Sequence, residues 1–323
     1  MRSYLGIEIG GTKLQLVAGG EDCKIVERRK LVVDPVKGAS GIRAQIERTV
    51  PEIFRTATPE AIGVGFGGPV DWKSGKICRS HQVEGWSEFD LAGWLERQSG
   101  IKAVVDNDAN VAALGEAKHG AGTGFNPVFY VTLGSGVGGG LVLDGRIYHG
   151  ATPGEAEIGH VRLDRDGTTV ESRCSGWAVD ARIREMKVTD PDSLLARLSG
   201  AEIGGEARHL PAALAQGAAL AKKLLNEVAE DLAFGLSHVV HLFHPQIIIL
   251  GGGLSGTGEP LRAAVQSRLG DFIMDAFLPE PPVALAALGE DAVPVGALEL
   301  AKCAPERNTA NTRGQPTGTK SNL

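Results

Sequence analysis

The chain has 323 residues, of which 42% are hydrophobic and 22% charged, and its formal net charge at pH 7 is −6. This composition predicts a globular protein with a sizeable core, and the negative charge excludes a general attraction for nucleic acid or an anionic membrane. No apolar run approaches the roughly 20 residues of a membrane span, and a strand pattern directly after the first residues leaves no room for a signal peptide. We therefore expect a cytoplasmic protein that binds neither nucleic acid nor membrane.

The numbers and positions of cysteine and glycine indicate the class of protein more closely. The four cysteines are scattered and form no C-x-x-C pair, which suits a reducing compartment better than a disulfide framework. The 45 glycines are about twice the average share of roughly 7%. Much of the glycine is clustered at the ends of predicted strands, so these clusters are the first places to look for function.

In the first half, two alternating apolar runs around a Gly-Gly turn predict a β-hairpin. The first strand covers residues 4–9, and the turn is Gly10-Gly11-Thr12-Lys13. Strands that end in polar or glycine-rich loops then alternate with helices. The other elements predicted before residue 120 are helices over 41–55, 89–98 and 111–118 and strands over 61–66 and 103–105.

The second half begins in the same way. A strand over 128–133 leads into a glycine run over 134–140, a strand follows over 141–143, and Asp144-Gly145 is typical of a hairpin turn. This weak repeat predicts two α/β lobes with a cleft between them. The remaining predicted elements are helices over 177–187, 212–243, 259–269 and 294–303 and a strand over 246–250.

The glycine-rich segment 120–127 is the predicted boundary between the lobes. A small N-terminal lobe would comprise residues 1–120, and the helix over 294–303 could pack back on it. A large C-terminal lobe would comprise residues 121–293. Residues 304–323 lack aromatic and almost all aliphatic side chains, which predicts a disordered tail.

The glycine run of the second half first has to be weighed as a dinucleotide fingerprint. Gly134-x-Gly136-x-x-Gly139 matches it, and Glu155 and Glu157 lie about 20 residues further on. The fingerprint requires a helix that opens at the third glycine, whereas residues 141–147 alternate and turn like a hairpin. A dehydrogenase is therefore disfavoured, and the absence of G-x-x-x-x-G-K-[ST] excludes a P-loop kinase.

Glycine turns between strands can still bind phosphate, because backbone N–H groups approach an anion closely where no Cβ intervenes. The turns at 10–13 and 134–136 could hold a triphosphate from two sides, with hydroxyl donors from Thr12 and Ser135. The alternative is that both are simply tight hairpin turns.

Polar side chains at 106–108 and 155–160 have two interpretations each. Asn and Asp are preferred helix N-caps, and Asp108 could equally be a base that a helix N-terminus keeps ionised. The carboxylates and the imidazole of Glu155-Ala156-Glu157-Ile158-Gly159-His160 could bind sugar hydroxyls or form a solvated loop. For Trp86, Trp94 and Trp177, core packing is the favoured interpretation.

Taken together and in their order along residues 4–303, these segments resemble the ROK family, named for its repressors, open reading frames and kinases. The resemblance implies a two-lobed actin-like ATPase fold, related to ribonuclease H, with a cleft between the lobes. It also implies ATP-dependent phosphorylation of a hexose or related sugar, with Mg²⁺, by a homodimer. The motifs that carry it are residues 6–13 and 132–140 (phosphate), 63–71 (sugar-side turn), 107–110 (catalytic loop), Glu157-Ile158-Gly159-His160 (sugar) and Gly251-Gly252-Gly253 (adenosine).

Roles for individual residues follow only from this resemblance. Asp108 would be the general base, and Glu8 would approach Mg²⁺, if necessary through water. Sugar contacts would come from Gly68, Asn107, Asp108, Glu157, His160 and Glu171. Contacts to ATP would come from Gly10, Gly11, Thr12, Lys13, Gly134, Ser135, Gly136, Gly252 and Gly253.

The sequence departs from the family pattern at three places. Glu8 stands where the family usually has Asp, and Gly67-Gly68-Pro69 replaces the usual G-x-P-G order. The cysteine cluster that binds structural zinc in many members is absent between His160 and Glu171, so we predict no zinc. Something else must then orient His160, and Asp164 or Asp166 is the nearest choice.

Two other functions within the family remain as alternatives. A sugar-responsive repressor would carry a DNA-binding segment before the first phosphate motif, and here that motif begins near residue 6. A silent sugar-binding protein would be expected to lose the base or both phosphate turns, yet all three are present. The sequence leaves the identity of the sugar and of other phosphate donors open.

Overall fold

The computed structural model describes residues 2–78, 83–154 and 156–304. Glu155 and the predicted tail after Ala304 lie outside these residues. The strands are β1 (Ser3–Ile9), β2 (Lys13–Gly20), β3 (Ile25–Val32), β4 (Pro59–Phe66), β5 (Val70–Asp71), β6 (Lys76–Ile77), β7 (Phe89–Asp90), β8 (Lys102–Asn107), β9 (Val128–Leu133), β10 (Val137–Leu143), β11 (Arg146–Ile147), β12 (Ile247–Gly251) and β13 (Val283–Leu285). The α-helices are α1 (Gly38–Phe54), α2 (Leu91–Ser99), α3 (Asp108–His119), α4 (Val170–Cys174), α5 (Gly176–Thr189), α6 (Leu194–Ser199), α7 (Leu210–Ala215), α8 (Ala219–Phe243), α9 (Glu259–Leu269) and α10 (Ala292–Lys302).

The first sheet has the strand order β3-β2-β1-β4-β8. β1 and β2 form the predicted antiparallel hairpin, whereas β4 and β8 run parallel to β1. The pairs Ile9–Phe66 and Phe66–Asn107 end the parallel ladder. Because the carboxyl ends of parallel strands meet at one edge, the loops after β1, β4 and β8 lie side by side.

The second sheet repeats this arrangement with the order β11-β10-β9-β12-β13. β9 and β10 are antiparallel, and β12 runs parallel to β9, with Gly251 paired to Thr132. The turn after β9 and the loop after β12 therefore share one edge. A third, three-stranded sheet (β5-β6-β7) follows β4 in the chain.

Helices α3 and α10 pack against each other and separate the two large sheets. α10 covers β1 and β4, and α3 covers β9 and β10. At several points α10 lies too close to β4 and α3 for a side chain to fit between them. A Cβ on Gly63 would lie 1.9 Å from the carbonyl oxygen of Ala297, and a Cβ on Gly296 would lie 1.8 Å from the carbonyl oxygen of Val111. Helix α10, the last helix of the described residues, thus completes the core of the first sheet.

The hydrophobic core reflects this division into two sheets. One cluster of buried residues lies between the first sheet, α1 and α2, and another lies beneath the second sheet against α8 and α9. Trp86 and Trp94 belong to the first cluster, as predicted, with 1% and 9% of their surface exposed. The prediction for Trp177 was wrong, because this side chain is 65% exposed near the start of α5.

Most predicted elements are present, with shifted ends. The helix predicted over 212–243 was wrong in one respect: it is broken between Ala215 and Ala219, where Gly217 has a φ of +76°. Elements that were not predicted are β3, β5, β6, β7, β13, α4 and α6, and β7 occupies the start of the predicted helix over 89–98. The predicted hairpin turn at Asp144-Gly145 has φ values of +51° and +70°, as a type I′ turn requires. Among the described residues, no helix is both long and apolar enough to cross a membrane.

The glycine run after β9 enters a strand, not a helix. β10 covers Val137–Leu143 and pairs with β9 through Gly138, Gly139 and Gly140. The helix that a dinucleotide fingerprint needs at its third glycine is therefore missing, which confirms the choice against a dehydrogenase.

Candidate active site

Three loops meet at the carboxyl edge of the first sheet. The N–H of Gly67 donates to the carbonyl oxygen of Ile9 at 2.9 Å. A Cβ on Gly67 would lie 3.4 Å from Oδ2 of Asp108 and 3.7 Å from Cα of Gly10. The first phosphate turn, the sugar-side turn and the predicted base are therefore immediate neighbours, as the parallel order of β1, β4 and β8 dictates.

The polar residues 106–108 lie at the start of α3, and Asn107 is the N-cap of this helix. Oδ1 of Asn107 accepts from the N–H groups of Ala109 at 2.8 Å and Asn110 at 3.2 Å, and its Nδ2 donates to the carbonyl oxygen of Gly68 at 3.2 Å. Asn107 thus satisfies two N–H groups that a helix start leaves without partners. This leaves Asp108 as the first helical residue, with its carboxylate against Gly67.

The prediction that the helix N-terminus keeps Asp108 ionised was wrong. Burial and, to a smaller extent, the nearby charge of Glu8 together raise the pKa of this carboxyl to about 7. The N–H of Ala109, which donates to Oδ1 at 2.9 Å, acts in the opposite direction. Loss of water around the charge outweighs the helix terminus here. At neutral pH Asp108 is consequently poised between its two protonation states.

Glu8 lies on β1, directly before the first phosphate turn, and both of its oxygens have partners. Oε1 pairs with Nζ of Lys13 at 3.1 Å, and Oε2 accepts from Nε2 of Gln15 at 2.6 Å. Burial raises the pKa of Glu8, and the positive charge of Lys13 partly opposes this rise. Lys13, predicted to contact ATP, is thus held by Glu8 on the opposite strand of the hairpin.

The predicted second phosphate turn, residues 134–136, is closed by a hydrogen bond within its own backbone and contacts the start of α5. The N–H of Gly134 donates to the carbonyl oxygen of Gly136 at 2.9 Å, and the N–H of Gly176, the first residue of α5, donates to that of Gly134 at 2.7 Å. Oε2 of Glu171 accepts from the N–H of Val137 at 2.9 Å. Glu171 therefore lies against this turn through a contact that its predicted sugar role did not include.

The predicted adenosine motif adjoins the same turn. A Cβ on Gly252, which has a φ of +81°, would lie 2.6 Å from the backbone of Leu133, the residue before Gly134. A Cβ on Gly253 would meet nothing within 4 Å. Only a glycine at 252 permits this close approach, and Gly253 leaves open space beside it.

The start of α3 connects the two phosphate turns. Cβ of Ala109 would be 3.2 Å from a Cβ on Gly138, two residues after Gly136. The start of α3 thus meets the first turn through Asp108, beside Gly67, and the strand that follows the second turn through Ala109. Two concave glycine turns on either side of a proton acceptor can hold an anion and accept a proton beside it.

The predicted sugar motif is more exposed than the rest of the site. The Glu157 and His160 side chains are 47% and 73% exposed, with Oε2 of Glu157 3.9 Å from Nε2 of His160. Glu157 is close enough for its charge to raise the pKa of Asp108. Oδ1 of Asp164, one of the two predicted partners of His160, accepts from the N–H groups of Asp166, Gly167 and Thr168, and the carboxylate that lies near the His160 ring is that of Glu157.

A carboxylate–imidazole pair beside the predicted catalytic loop was not predicted from the sequence. Asp106, 3% exposed, accepts from the Asn107 N–H at 2.8 Å through Oδ1 and pairs through Oδ2 with Nε2 of His149 at 2.5 Å. The His149 ring stacks on Trp72, with centroids 4.1 Å apart and planes at 12°. The position of Asp106 next to Asn107 was a usable signal, but nothing in the sequence connects it to His149 or Trp72.

Comparison with known proteins identifies the family. A family model described as the ROK family matches residues 4–304. A glucokinase from Thermotoga maritima is 31% identical over 308 residues, which are 92% of this chain and 96% of the relative. A putative xylose repressor from Caldicellulosiruptor sp. is 25% identical over 282 residues, which are 82% of this chain and 70% of the repressor.

A solved structure supports the fold directly. The crystal structure of a ROK family glucokinase from Streptomyces griseus, in complex with glucose and AMPPNP, has a TM-score of 0.82 and 31% sequence identity, and the match covers 93% of this chain and 99% of that one. The predicted α/β fold of the actin-like ATPase type is therefore confirmed.

Proposed function

Because the chain belongs to the ROK family, we propose that it transfers the terminal phosphate of ATP to a hydroxyl of glucose or a closely related hexose. Its relatives named glucokinase support a sugar kinase, at 31% identity for the Thermotoga maritima enzyme. The nucleotide analogue in the Streptomyces griseus structure supports ATP as the donor.

The observation that carries the proposal is the position of Asp108. Its carboxylate lies beside Gly67 and Gly10 at the edge where the first phosphate turn ends, and its pKa is raised to about 7. A general base acts best when its pKa lies near the working pH. A half-buried carboxyl with this pKa, next to a turn that could bind an anion, is suited to accept a proton from a hydroxyl that attacks phosphate.

In the proposed reaction, the sugar lies against Gly68, Asn107, Glu157, His160 and Glu171. Its hydroxyl oxygen attacks the γ-phosphorus, the bond from that phosphorus to the bridging oxygen breaks, and ADP leaves. The hydroxyl proton passes to Asp108, late in a transfer of this kind. Exclusion of water from the cleft would limit hydrolysis of ATP.

ATP would be held by the two glycine turns, namely by Gly10, Gly11, Thr12 and Lys13 and by Gly134, Ser135 and Gly136, with its adenosine near Gly252 and Gly253. Mg²⁺ bound with ATP would neutralise charge on the phosphates. Glu8 fits this ion as an outer ligand, because Lys13 and Gln15 already occupy both of its oxygens. Mg²⁺ keeps several waters and takes most of its other ligands from phosphate, so contact through water suits this carboxylate.

The test is an ADP-release assay with ATP and Mg²⁺ across a panel of hexoses, with Asp108→Asn beside the wild type. A general base contributes about 10²–10⁴-fold, so we expect kcat to fall by that factor for the preferred sugar. The affinity for the sugar, measured by calorimetry, should change much less, because an amide of the same shape remains.

Asp144→Asn is the matched control, since Asp144 lies in the turn between β10 and β11 and should leave turnover unchanged. Full activity in Asp108→Asn would remove the general base from the proposal. Binding of a sugar by the wild type without any phosphorylation would replace the kinase with a sugar-sensing regulator.

A further inference from the structure

Three residues far apart in the chain bring metal-binding atoms together behind the first sheet. Cys23 lies in the turn between β2 and β3, His119 ends α3, and Glu299 lies on α10. Their ligand atoms (Sγ, Nε2 and a carboxylate oxygen) all lie within 4.8 Å of one another. The positions 23, 119 and 299 follow no spacing of a known metal motif, so this group could not be predicted from the sequence.

The carboxylate oxygen of Glu299 is the centre of the group. Nε2 of His119 lies 2.9 Å from Oε2 of Glu299, and Sγ of Cys23 lies 3.3 Å from the same oxygen. In a tetrahedral zinc site, bonds of about 2.0 Å to N and O and 2.3 Å to S separate such donors by about 3.3–3.5 Å. The two pairs that include Glu299 therefore need to open by only about 0.5 Å or less to hold an ion, and the third pair, Sγ of Cys23 and Nε2 of His119, lies within 4.8 Å.

The three side chains also supply the right chemistry and a route of entry. Thiolate, imidazole and carboxylate are the ligands that Zn²⁺ takes in proteins, and a water can fill the fourth position. Cys23 and His119 both line a cavity of about 810 Å³ between the β2–β3 hairpin, α10 and the loop at Ala287 and Leu288. The cavity therefore gives an ion access to the side of the group formed by Cys23 and His119.

One neighbour competes for the same site. Nζ of Lys302 lies 2.8 Å from Oε2 of Glu299 and 3.0 Å from the carbonyl oxygen of Glu21. Its positive charge occupies the carboxylate and would repel a cation. Lys302 has a long stem and 29% of its side chain is exposed, so the ammonium can turn into solvent when an ion enters.

We propose that Cys23, His119 and Glu299 form a site for Zn²⁺ or a similar divalent transition metal ion, with water as the fourth ligand and Lys302 as its internal competitor. On binding, the Cys23 thiol releases its proton to solvent and the sulfur bonds the ion. The ion would join the β2–β3 turn, the end of α3 and α10, and so stabilise the fold. This site departs from the expectation that the protein lacks zinc, and it is independent of the sugar-kinase proposal.

Cobalt provides the test, because a thiolate bound to Co²⁺ gives a charge-transfer absorption band and a tetrahedral site gives strong visible bands. Tag-free protein, stripped with a chelator and kept reduced, is titrated with Co²⁺ and then with Zn²⁺. We expect one Co²⁺ per chain with both sets of bands, and displacement by Zn²⁺ with a rise in Tm. Mg²⁺ should not displace it, since hard ions prefer oxygen ligands.

Variants separate this site from other thiols and from a purely hydrogen-bonded cluster. Cys23→Ser should abolish the charge-transfer band, whereas Cys303→Ser, which removes an exposed thiol, should keep it. Lys302→Met should strengthen binding by about tenfold, because it removes the competing charge. Absence of the thiolate band in the wild type and in Lys302→Met, or its persistence in Cys23→Ser, would overturn the proposal.

Discussion

Asp108 shows how two opposing effects act on one carboxyl group. At the first turn of α3 the helix terminus favours the ionised form by about 0.3–1 kcal/mol. Burial acts the other way and, with the charge of Glu8, raises the pKa from 3.8 to about 7. Each unit of pKa corresponds to about 1.4 kcal/mol, so burial is the larger effect. Ionised Asp108 therefore destabilises the folded protein, and the same raised pKa makes the carboxyl suited to the proposed role of general base.

This cost predicts a pH-dependent gain in stability for Asp108→Asn. In the unfolded chain Asp108 loses its proton near its ordinary pKa, and in the folded protein only near pH 7. Between these values the folded state binds more protons, so the wild type loses stability as pH rises. An Asn cannot ionise and avoids this loss. We expect Asp108→Asn to be more stable than the wild type by about 1–3 kcal/mol at pH 8, after allowance for the partial exposure of the group.

Urea unfolding at pH 4.5, 6 and 8 measures this difference. The advantage of Asp108→Asn should shrink towards the acidic end, where both states of the wild type are increasingly protonated. Asp144→Asn serves as the control and should shift the free energy of unfolding equally at all three values. An advantage for Asp108→Asn that does not vary with pH would show that the carboxylate is not strained by its surroundings.

At the scale of elements, the high glycine content has two separate causes. Some glycines form the turns at the sheet edges, as their clustering predicted. Others allow α3 and α10 to approach the sheets and each other, as at Gly63 and Gly296. Only the first kind stands out in a sequence, because close packing between distant elements leaves no local pattern.

Gly296→Ala tests the second kind. Its Cβ would lie 1.8 Å from the carbonyl oxygen of Val111, so α10 must move away from α3. Overpacking of a core costs about 1–3 kcal/mol and occasionally more, and backbone yields less easily than a side chain. We therefore expect a loss of about 2–4 kcal/mol in the free energy of unfolding. Gly256→Ala, where a Cβ meets nothing within 4 Å, should change it by less than about 0.5 kcal/mol. Equal effects of the two substitutions would contradict this account of the contact.

The elements that the sequence predicted well are those with strong local signals. The hairpin at the start, the turn at Asp144-Gly145 and the helix over 259–269 all follow from turn residues or periodicity. β3 was missed because Glu27, Arg28, Arg29 and Lys30 break its apolar alternation. In the site, the order of the parallel strands made the meeting of Gly10, Gly67 and Asp108 predictable. The pKa of Asp108 was not predictable, since burial depends on parts of the chain that local patterns do not connect.

At the scale of the whole molecule, His149 joins regions that the sequence keeps apart. It follows β11 of the second sheet, pairs with Asp106 at the end of β8 in the first sheet, and stacks on Trp72 between β5 and β6 of the small sheet. All three sheets therefore meet at one imidazole ring beside the catalytic loop. If the stacking of His149 on Trp72 couples the two halves, it should contribute a measurable interaction energy between these two rings to the free energy of unfolding.

A double-mutant cycle of Trp72→Leu and His149→Leu measures that coupling in the free energy of unfolding. Stacked aromatic pairs contribute about 0.5–1.5 kcal/mol beyond burial, so the double variant should be more stable by that amount than the sum of the single losses predicts. The cost of leaving Asp106 without its partner occurs in both His149 variants and cancels in the cycle. A cycle of Trp72 with His244, which stacks on Phe277 instead, is the control and should be additive. Additivity in the Trp72–His149 cycle as well would mean that the stacked rings are neighbours without energetic coupling.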